Sequence, residues 1–331
     1  MKSDSFKDAP PMHILMPVYN AEKFLEKSIA SALKQTYSNV KLLVFDDAST
    51  DASMERIKKF SDNRIKILEN SEKNRGVAYA RRILVKESKK LENAYILWLD
   101  ADDQYTDSTF ISSVIKQMQK TKAEICLFNF SIAYENDDEN LKKNAIGLIK
   151  EQEEMTKILD FIASLDTFFD PISDADKINI LKFTSLGWTK AYAPNVKIPE
   201  PTTGDVPFAD FLDMALLLKY SITALPSQKK PIEYLRRSTS ICGQRKPENF
   251  THHVPARLEE FFNLVSENSK NHPNRLKQLN LAQDFVVRKF AQYEGTLTNL
   301  LATRTDFPKS TLDDYQGKMQ QIKTYIDNTI L

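Results

Sequence analysis

Only two cysteines, Cys126 and Cys242, occur in 331 residues, and neither belongs to a CxxC or comparable ligand spacing. Thiolate metal chemistry therefore has no motif, and the usage suits a reducing compartment. Cys126 lies in the apolar run Ile125, Cys126, Leu127, Phe128 and reads as a small core residue. Net charge is nearly absent as well. Lys and Arg number 46 against 45 Asp and Glu, a formal charge of +1, so no global field draws nucleic acid to the surface. Long apolar runs are also missing: Phe208 to Leu225 is interrupted by Asp210, Asp213 and Lys219, which makes it a buried helix and not a membrane span. The first residues, Met1 to Pro11, carry Lys2, Asp4, Lys7 and Asp8 and no apolar stretch of a secretory signal. The expectation is a cytoplasmic protein, with the inner face of the membrane open as its place of work. Two phosphate-binding signatures are absent. The turn after the first apolar run is Pro17-Val18-Tyr19-Asn20, not GxGxxG, and no GxxxxGK[ST] occurs, which argues against dinucleotide oxidoreductases and P-loop phosphotransferases.

What is present is an alternation of two periodicities. Short apolar runs at His13 to Val18, Val40 to Phe45, Arg64 to Leu68, Ala94 to Leu99 and Glu124 to Phe130 predict strands. Between them, Ala21 to Lys34, Ser53 to Phe60, Val77 to Lys89 and Ser108 to Gln119 have helical spacing. Phe24, Leu25, Ile29, Ala32 and Leu33 form the apolar stripe of a helix lying on a sheet, and Asp51 and Asp107 stand where N-caps are wanted. Repeated strand-helix-strand units mean a parallel sheet with right-handed crossovers. The polar run Glu135 to Asn144 predicts a surface loop, followed by a helix from Glu151 to Leu165, an irregular stretch to Pro201, a helix from Asp205 to Lys219 and a strand from Pro231 to Arg236. Ala256 to Asn268, Arg275 to Ala302 and Thr311 to Ile330 read as helices.

In such a sheet ligands bind beyond the carboxyl ends of the strands. The first strand runs into Pro17, Val18, Tyr19 and Asn20; the second ends in Asp46 and Asp47; the fourth ends in Asp100, Ala101, Asp102 and Asp103. Carboxylates crowded on one edge repel one another unless a cation or hydrogen-bond donors are present. Hard oxygen ligands suit Mg2+ or Mn2+, which keep several waters and bridge phosphates, so Asp-x-Asp at a strand end is a metal-diphosphate candidate. The competing explanation is a set of solvated turn acids.

The runs "ILMPVYNAEKFLEKSIASALKQTYSNVKLLVFDDASTD", "NRGVAYARR" and "LWLDADD" resemble the inverting family-two glycosyltransferases of the GT-A fold. The resemblance is close from Met12 to about Asp107 and looser to about Ser240. It implies that Pro17, Val18, Tyr19, Asn20, Asp46, Asn74, Gly76, Arg81, Asp100 and Ala101 surround the donor nucleotide, and that Asp102 ligates the metal. Arg82 stands where the family commonly has Asn and is left out of the site. In "IPEPTTGDVPFADF" the resemblance makes Asp205 the general base that takes the acceptor hydroxyl proton, with Asp210 in reserve. Gly204 replaces the usual Glu, and Asp205 also fits an N-cap ahead of Pro207. In "LGWTKAYAP" and "EYLRRSTSI", the matching residues Trp188, Lys190 and Arg236 would contact acceptor or diphosphate. His252 and His253 lie beyond and read as a loop pair, although related enzymes can complete a metal site with histidine. Lys229, Lys230, Arg236, Arg237, Arg245 and Lys246 form a basic cluster that fits a solvated loop, an anionic acceptor or a membrane surface.

The fold class expected is therefore α/β of the GT-A type, with a mainly parallel central sheet and a C-terminal helical extension. Residues 1–243 form the catalytic domain, divided into a nucleotide-binding half (1–107) and an acceptor-side half (108–243), and residues 244–331 form the helical region. The resemblance implies a metal-dependent, inverting transfer of a hexose or N-acetylhexosamine from a UDP-sugar to a glycan or lipid-linked acceptor in bacterial-type surface polysaccharide or lipooligosaccharide synthesis. No nucleic acid is expected as a partner; peripheral membrane contact and a homodimer stay open. A sugar-nucleotide pyrophosphorylase would need a Gly-rich first loop that is missing. A catalytically silent nucleotide-sugar or carbohydrate-binding module is the alternative, and Gly204 is the feature that favours it.

Overall fold

The computed structural model describes residues 10–139, 142, 146–164, 189–199, 210–237, 247, 249–271, 275–303, 308 and 310–330. Ten strands are described: β1 (Met12–Val18), β2 (Val40–Asp47), β3 (Ile65–Asn70), β4 (Tyr95–Trp98), β5 (Gln104–Tyr105), β6 (Ile125–Leu127), β7 (Phe130–Tyr134), β8 (Lys190–Tyr192), β9 (Ile222–Ala224) and β10 (Ile232–Arg236). Seven of them form one sheet in the order β3-β2-β1-β4-β8-β6-β9, and β5, β10 and β7 form a second. β1 pairs in parallel with β2, from Met12 against Val40 to Val18 against Asp46, and with β4, from Met12 against Tyr95 to Leu15 against Trp98. Within the large sheet β8 runs antiparallel to both β4 and β6.

Burial on both faces explains the near-continuous apolar run of β2, Val40 to Phe45, in which only Lys41 is polar. Pro17 is tolerated inside β1 for a geometric reason. Leu15 turns its main chain to β4, where its carbonyl accepts the Leu99 N–H at 3.1 Å. Pro17, two residues on, faces the same way but lies past the last β1–β4 pair, so its missing N–H removes no ladder bond.

Helices α1 (Leu25–Leu33), α2 (Ser53–Lys58), α3 (Val77–Leu91) and α4 (Phe110–Thr121) alternate with these strands. α3 packs on β1 and β2 through Ala78, Ala80, Leu84, Val85 and Ser88. Asp51 and Asp107 turn out not to be N-caps: α2 and α4 begin after Ala52 and Thr109, which make no side-chain cap bond. Each acid instead accepts the N–H two residues ahead, Ser53 at 2.9 Å and Thr109 at 2.8 Å, an Asx turn that delivers the chain into the helix.

Three other expectations are corrected. The run Glu124 to Phe130 is not one strand but two, β6 and β7, in different sheets. Asn129 separates them: fully buried, it donates to Ser227 O (3.0 Å) and Thr156 Oγ1 (3.3 Å) and accepts the Phe130 N–H (2.9 Å), so the backbone turns where the apolar pattern does not. The stretch read as irregular before Pro201 contains β8, too short to show an alternation. The helix expected from Glu151 is α5 (Ile146–Ala163), which begins five residues earlier.

The chain forms two compact units, Met1–Asp170 with Leu186–Ile198 and Tyr220–Arg236, and Pro171–Ser185 with Pro199–Lys219 and Arg237–Leu331. The second unit contains α6 (Asp210–Lys219), a π-helical turn (Asn249–His253), α7 (Val254–Ser269), α8 (Arg275–Thr303) and α9 (Thr311–Ile330). Ring contacts of Phe261 with Phe285 (4.6 Å) and of Phe290 with Tyr315 (5.5 Å) join its helices, and Gln278 donates to Leu218 O at 3.2 Å. The boundary expected near Gly243 lies outside the described residues. No helix among the described residues is long and apolar enough to cross a membrane.

At the amino-terminal edge of the sheet, His13 is fully buried on β1, with Nδ1 2.8 Å from Ser88 Oγ and Nε2 3.2 Å from Glu92 Oε1. Glu92 also accepts Lys41 Nζ at 2.6 Å. Burial holds the imidazole below its ordinary value of 6.5, with Lys41 acting in the same direction and Glu92 opposing. The unfolded chain then binds a proton near 6.5 that the folded chain takes up only at lower pH. Stability from neutral His13 is therefore complete above that value and is lost as pH falls below it. Urea denaturation followed from about pH 7.5 to about pH 5.5 should show this decline, and His13→Gln should flatten it. An unchanged slope in the variant would remove His13 as its source.

Candidate functional site

The carboxyl ends of β1, β2 and β4 lie side by side because β1 is paired in parallel with both neighbours. Alternation along β2 sends its two terminal acids to opposite faces. Asp46, buried, accepts the hydroxyl and, at 3.3 Å, the N–H of Ser49. Burial pushes its carboxyl above the usual range, partly offset by the Ser49 bonds, and the neighbouring acids Asp51 and Asp47 push the same way as burial. Asp47, 2% exposed, accepts from Gly76 N (2.7 Å), Arg75 N (2.8 Å) and Asn70 Nδ2 (2.9 Å). Its carbonyl accepts Asn74 Nδ2 at 3.4 Å. One carboxylate thus shapes the loop that carries Asn74 and opens α3.

Gly76 has φ 89 and ψ 164, a conformation glycine adopts without strain, so the residue type is required where Asp47 takes both amides. Ala48, with φ 60, is in the left-handed region that penalises a Cβ, and this turn brings Ser49 back onto Asp46.

The loops after β1 and β2 are stitched together. Asn20 N donates to Ser49 Oγ at 3.0 Å, and Asn20 Oδ1 accepts Thr50 N at 2.8 Å. Ala21 N donates to Ser53 Oγ (2.8 Å), Glu22 N to Asp51 Oδ2 (3.1 Å) and Ala52 N to Glu22 Oε2 (2.9 Å). Burial would raise the Asp51 carboxyl, but bonds from Ser53 and the Glu22 amide hold it below its usual range. Pro17 is half-buried and Val18 buried, while the Tyr19 ring beyond them is 49% exposed.

The loop after β4 is anchored from beneath. Ser28 Oγ on α1 donates to Asp100 O at 3.3 Å, and Asp103 N closes the turn onto the same carbonyl at 3.0 Å. Asp103 is buried and accepts Leu235 N at 2.9 Å, which ties the loop to β10 beside the β5 pairing. Ala101 is buried and Asp102 half-buried. Arg81 on α3 points Nη2 at Asp100 Oδ1, 3.4 Å away.

Residues 13–173 match the model of glycosyl transferase family 2. They form a family 2 glycosyltransferase domain. The match includes every strand end just described. The UDP-Glc:alpha-D-GlcNAc-diphosphoundecaprenol beta-1,3-glucosyltransferase WfgD of Escherichia coli is 39% identical over 123 residues, 37% of this chain and 47% of that protein. An uncharacterized glycosyltransferase of Haemophilus influenzae is 43% identical over 96 residues, 28% of this chain and 37% of that protein. The chain spans less than half the length of these relatives. The crystal structure of S. aureus TarS 1–349 in complex with UDP-GlcNAc has a TM-score of 0.53 at 15% identity, over 96% of this chain and 92% of that one. That likeness concerns the fold. The family 2 domain here is a GT-A domain, with its mainly parallel sheet and helices following.

The remaining expected residues are placed as follows. Lys190, the first residue of β8, is fully buried, one position beyond the pair of Ala191 with Leu97. Arg236 ends β10 and is half-buried, paired with Tyr134 of β7. Asp205 and Trp188 lie outside the described residues. In the second unit His252 is exposed, with Nδ1 2.7 Å from Thr251 Oγ1. Arg82 has its guanidinium 5.3 Å from the Tyr79 ring, and Arg75 covers the same ring at 4.0 Å.

No group of three or more acids, cysteines or histidines among the described residues could cage a metal ion by itself. The expected metal ligand, Asp102, lies in the β4 loop with Asp100 two residues before it. One or two carboxylates fit Mg2+ or Mn2+ that takes its other ligands from phosphate and water. Sequence reasoning missed Asp47 and Asp103. The doublet Asp46-Asp47 carries the signal for Asp47, since adjacent residues leave a strand on opposite sides; Asp103 sits in a turn, where alternation gives no such signal.

Asp47→Ala leaves the amides of Arg75 and Gly76 without their acceptor. An unmade buried bond costs about 1–3 kcal/mol, so chemical denaturation should show a loss of at least that size. Nucleoside diphosphate affinity should fall with it, because Asn74 and the start of α3 are released. Wild-type stability in Asp47→Ala would mean that the loop is held by other contacts.

Proposed function

We propose that the chain is an inverting, divalent-metal-dependent glycosyltransferase that moves a hexose or N-acetylhexosamine from a UDP-sugar to a hydroxyl of a surface-glycan acceptor. The observation that carries this reading is the convergence of Tyr19, buried Asp46 and the Asp100–Asp103 loop on the carboxyl edge of three adjacent parallel strands. Relatives support the donor class: WfgD is named for UDP-Glc, and TarS was crystallised with UDP-GlcNAc.

In this reading the exposed Tyr19 ring gives the nucleobase a face, beside Pro17 and Val18. Asp46, desolvated and next to Ser49, accepts from a base N–H or a ribose hydroxyl. Asn74 and Gly76 border the nucleotide on the side of α3. Arg81 and Asp100 lie towards the ribose and diphosphate, and Arg236 assists with phosphate charge. Asp102 holds the divalent ion, and a bound ion supplies neutralisation of the diphosphate leaving group. Asp205 removes the acceptor hydroxyl proton as that oxygen attacks the anomeric carbon from the face opposite the diphosphate, which inverts the configuration. Trp188 and Lys190 belong to the acceptor and diphosphate side. The acceptor is a glycan or a lipid-linked saccharide reached at the inner membrane face.

A panel of nucleotide-sugars with Mn2+, scored for released nucleoside diphosphate with and without chelator, tests the reading directly. One UDP-sugar should be turned over, and the chelator should stop it. Asp102→Asn should abolish release, and Asp205→Asn should lower kcat by about 10²–10⁴-fold with donor binding retained. Binding of UDP-sugar without any release in the wild type would make the chain a silent binding module instead.

A further inference from the structure

We infer that Trp98 is a positioning residue for the donor, its indole face holding the Arg81 guanidinium beside Asp100; the inference rests on the glycosyltransferase reading above. Trp98 ends β4, two residues before Asp100, and is 2% exposed. The Arg81 guanidinium carbon lies 5.2 Å from the centre of its ring, within the range of a cation–π contact, for which tryptophan is the strongest partner.

Two features set this apart from ordinary core filling. First, the indole N–H of Trp98 is buried and has no hydrogen-bond partner among the described residues. A buried donor left unmade carries a desolvation penalty that phenylalanine or leucine would avoid at the same place. Tryptophan stands there despite that penalty, and what the larger ring provides is its face under Arg81. Second, the Asp100 carboxylate holds the guanidinium only by a long bond. Nη2 is 3.4 Å from Asp100 Oδ1, against the roughly 2.7–2.9 Å of a charge-assisted bond. With its side chain only 11% exposed, Arg81 has little room to swing. The ring face sets the plane of the guanidinium, so its fork is aimed before an anion arrives, and less side-chain freedom is lost on binding.

The test measures UDP affinity by titration calorimetry, with KM and kcat for the turned-over UDP-sugar, on the full chain. Trp98→Leu, Trp98→Phe, Arg81→Ala and the double variant Arg81→Ala with Trp98→Leu are compared. Trp98→Leu should weaken UDP and raise donor KM by about ten-fold, with a smaller change in kcat, and Trp98→Phe, which keeps a weaker face, should fall in between. In the Arg81→Ala background Trp98→Leu should add less than about two-fold, because the group it orients is gone. An equal loss in both backgrounds would overturn the inference and make Trp98 a packing residue, as would wild-type UDP affinity in Trp98→Leu. If Trp98→Leu does not fold, the comparison is made with Trp98→Phe, and the same non-additivity decides. A wild-type chain that binds no nucleoside diphosphate would instead overturn the glycosyltransferase reading, and this inference with it.

Discussion

The parallel pairing of β1 between β2 and β4 is the constraint on which the site depends. Register is fixed residue by residue, Val18 against Asp46 on one side and Leu15 against Trp98 on the other. A slip of one residue in β2 would exchange Asp46 for Asp47 at the edge, and each acid would face the wrong side of the sheet. The apolar content of the strands resists such a slip. Leu42, Leu43 and Val44 are fully buried, so a displaced register would expose part of the core. Hydrophobic burial, which has no direction of its own, thereby places polar groups to within a strand spacing.

Polar groups then shape the loops, and they do so with carboxylates that accept N–H bonds. Asp47 takes the amides of Arg75 and Gly76, Asp51 those of Glu22 and Ser53, Asp103 that of Leu235. The acids of this edge fall into two groups. Those three organise backbone; Asp46, Asp100 and Asp102 are the acids that the proposed function gives to the donor and its metal. Charge crowding is relieved in part at Asp51 without any cation: bonds from Ser53 and the Glu22 amide outweigh burial and hold its carboxyl below the usual range. Asp46 shows the opposite balance: burial outweighs its Ser49 bonds, and its carboxyl is held above the usual range. An acid so poised gains when a ligand brings it a donor.

How much of this was legible beforehand depended on the length of the pattern. β1 to β4 and the helices between them could be read because each apolar run, or each stripe, lasted long enough to declare its period. β8 could not: three residues, Lys190–Tyr192, show no period, and a lysine inside a sheet core contradicts the usual pattern. The break at Asn129 was hidden for another reason. Its effect comes from partners far along the chain, Thr156 and Ser227, and local sequence holds no trace of them. The same applies to Asp103, whose partner Leu235 lies across the second sheet. Asp51 and Asp107 read as N-caps but form Asx turns, since an Asx turn and an N-cap use the same side chain at neighbouring positions. Among candidate site residues, motif spacing identified which loops matter; it did not tell ligand-facing acids from loop-building ones.

That distinction bears on how a GT-A edge of this kind varies. An acid whose oxygens are filled by backbone amides can be replaced only by rebuilding the loop, because each abandoned amide is a buried donor without a partner. Tyr19, which the proposed function gives to the nucleobase, carries no such obligation: its ring is 49% exposed. On the proposed function, donor preference can therefore shift through such residues while Asp47, Gly76 and Asp103 keep the frame. The Trp98 indole belongs to an intermediate class. Its buried N–H meets no hydrogen-bond partner among the described residues, a penalty for packing alone, yet as inferred its face sets the plane of Arg81. A frame that tolerates such a penalty beside its ligand edge is one in which orienting a single guanidinium outweighs the best filling of the core.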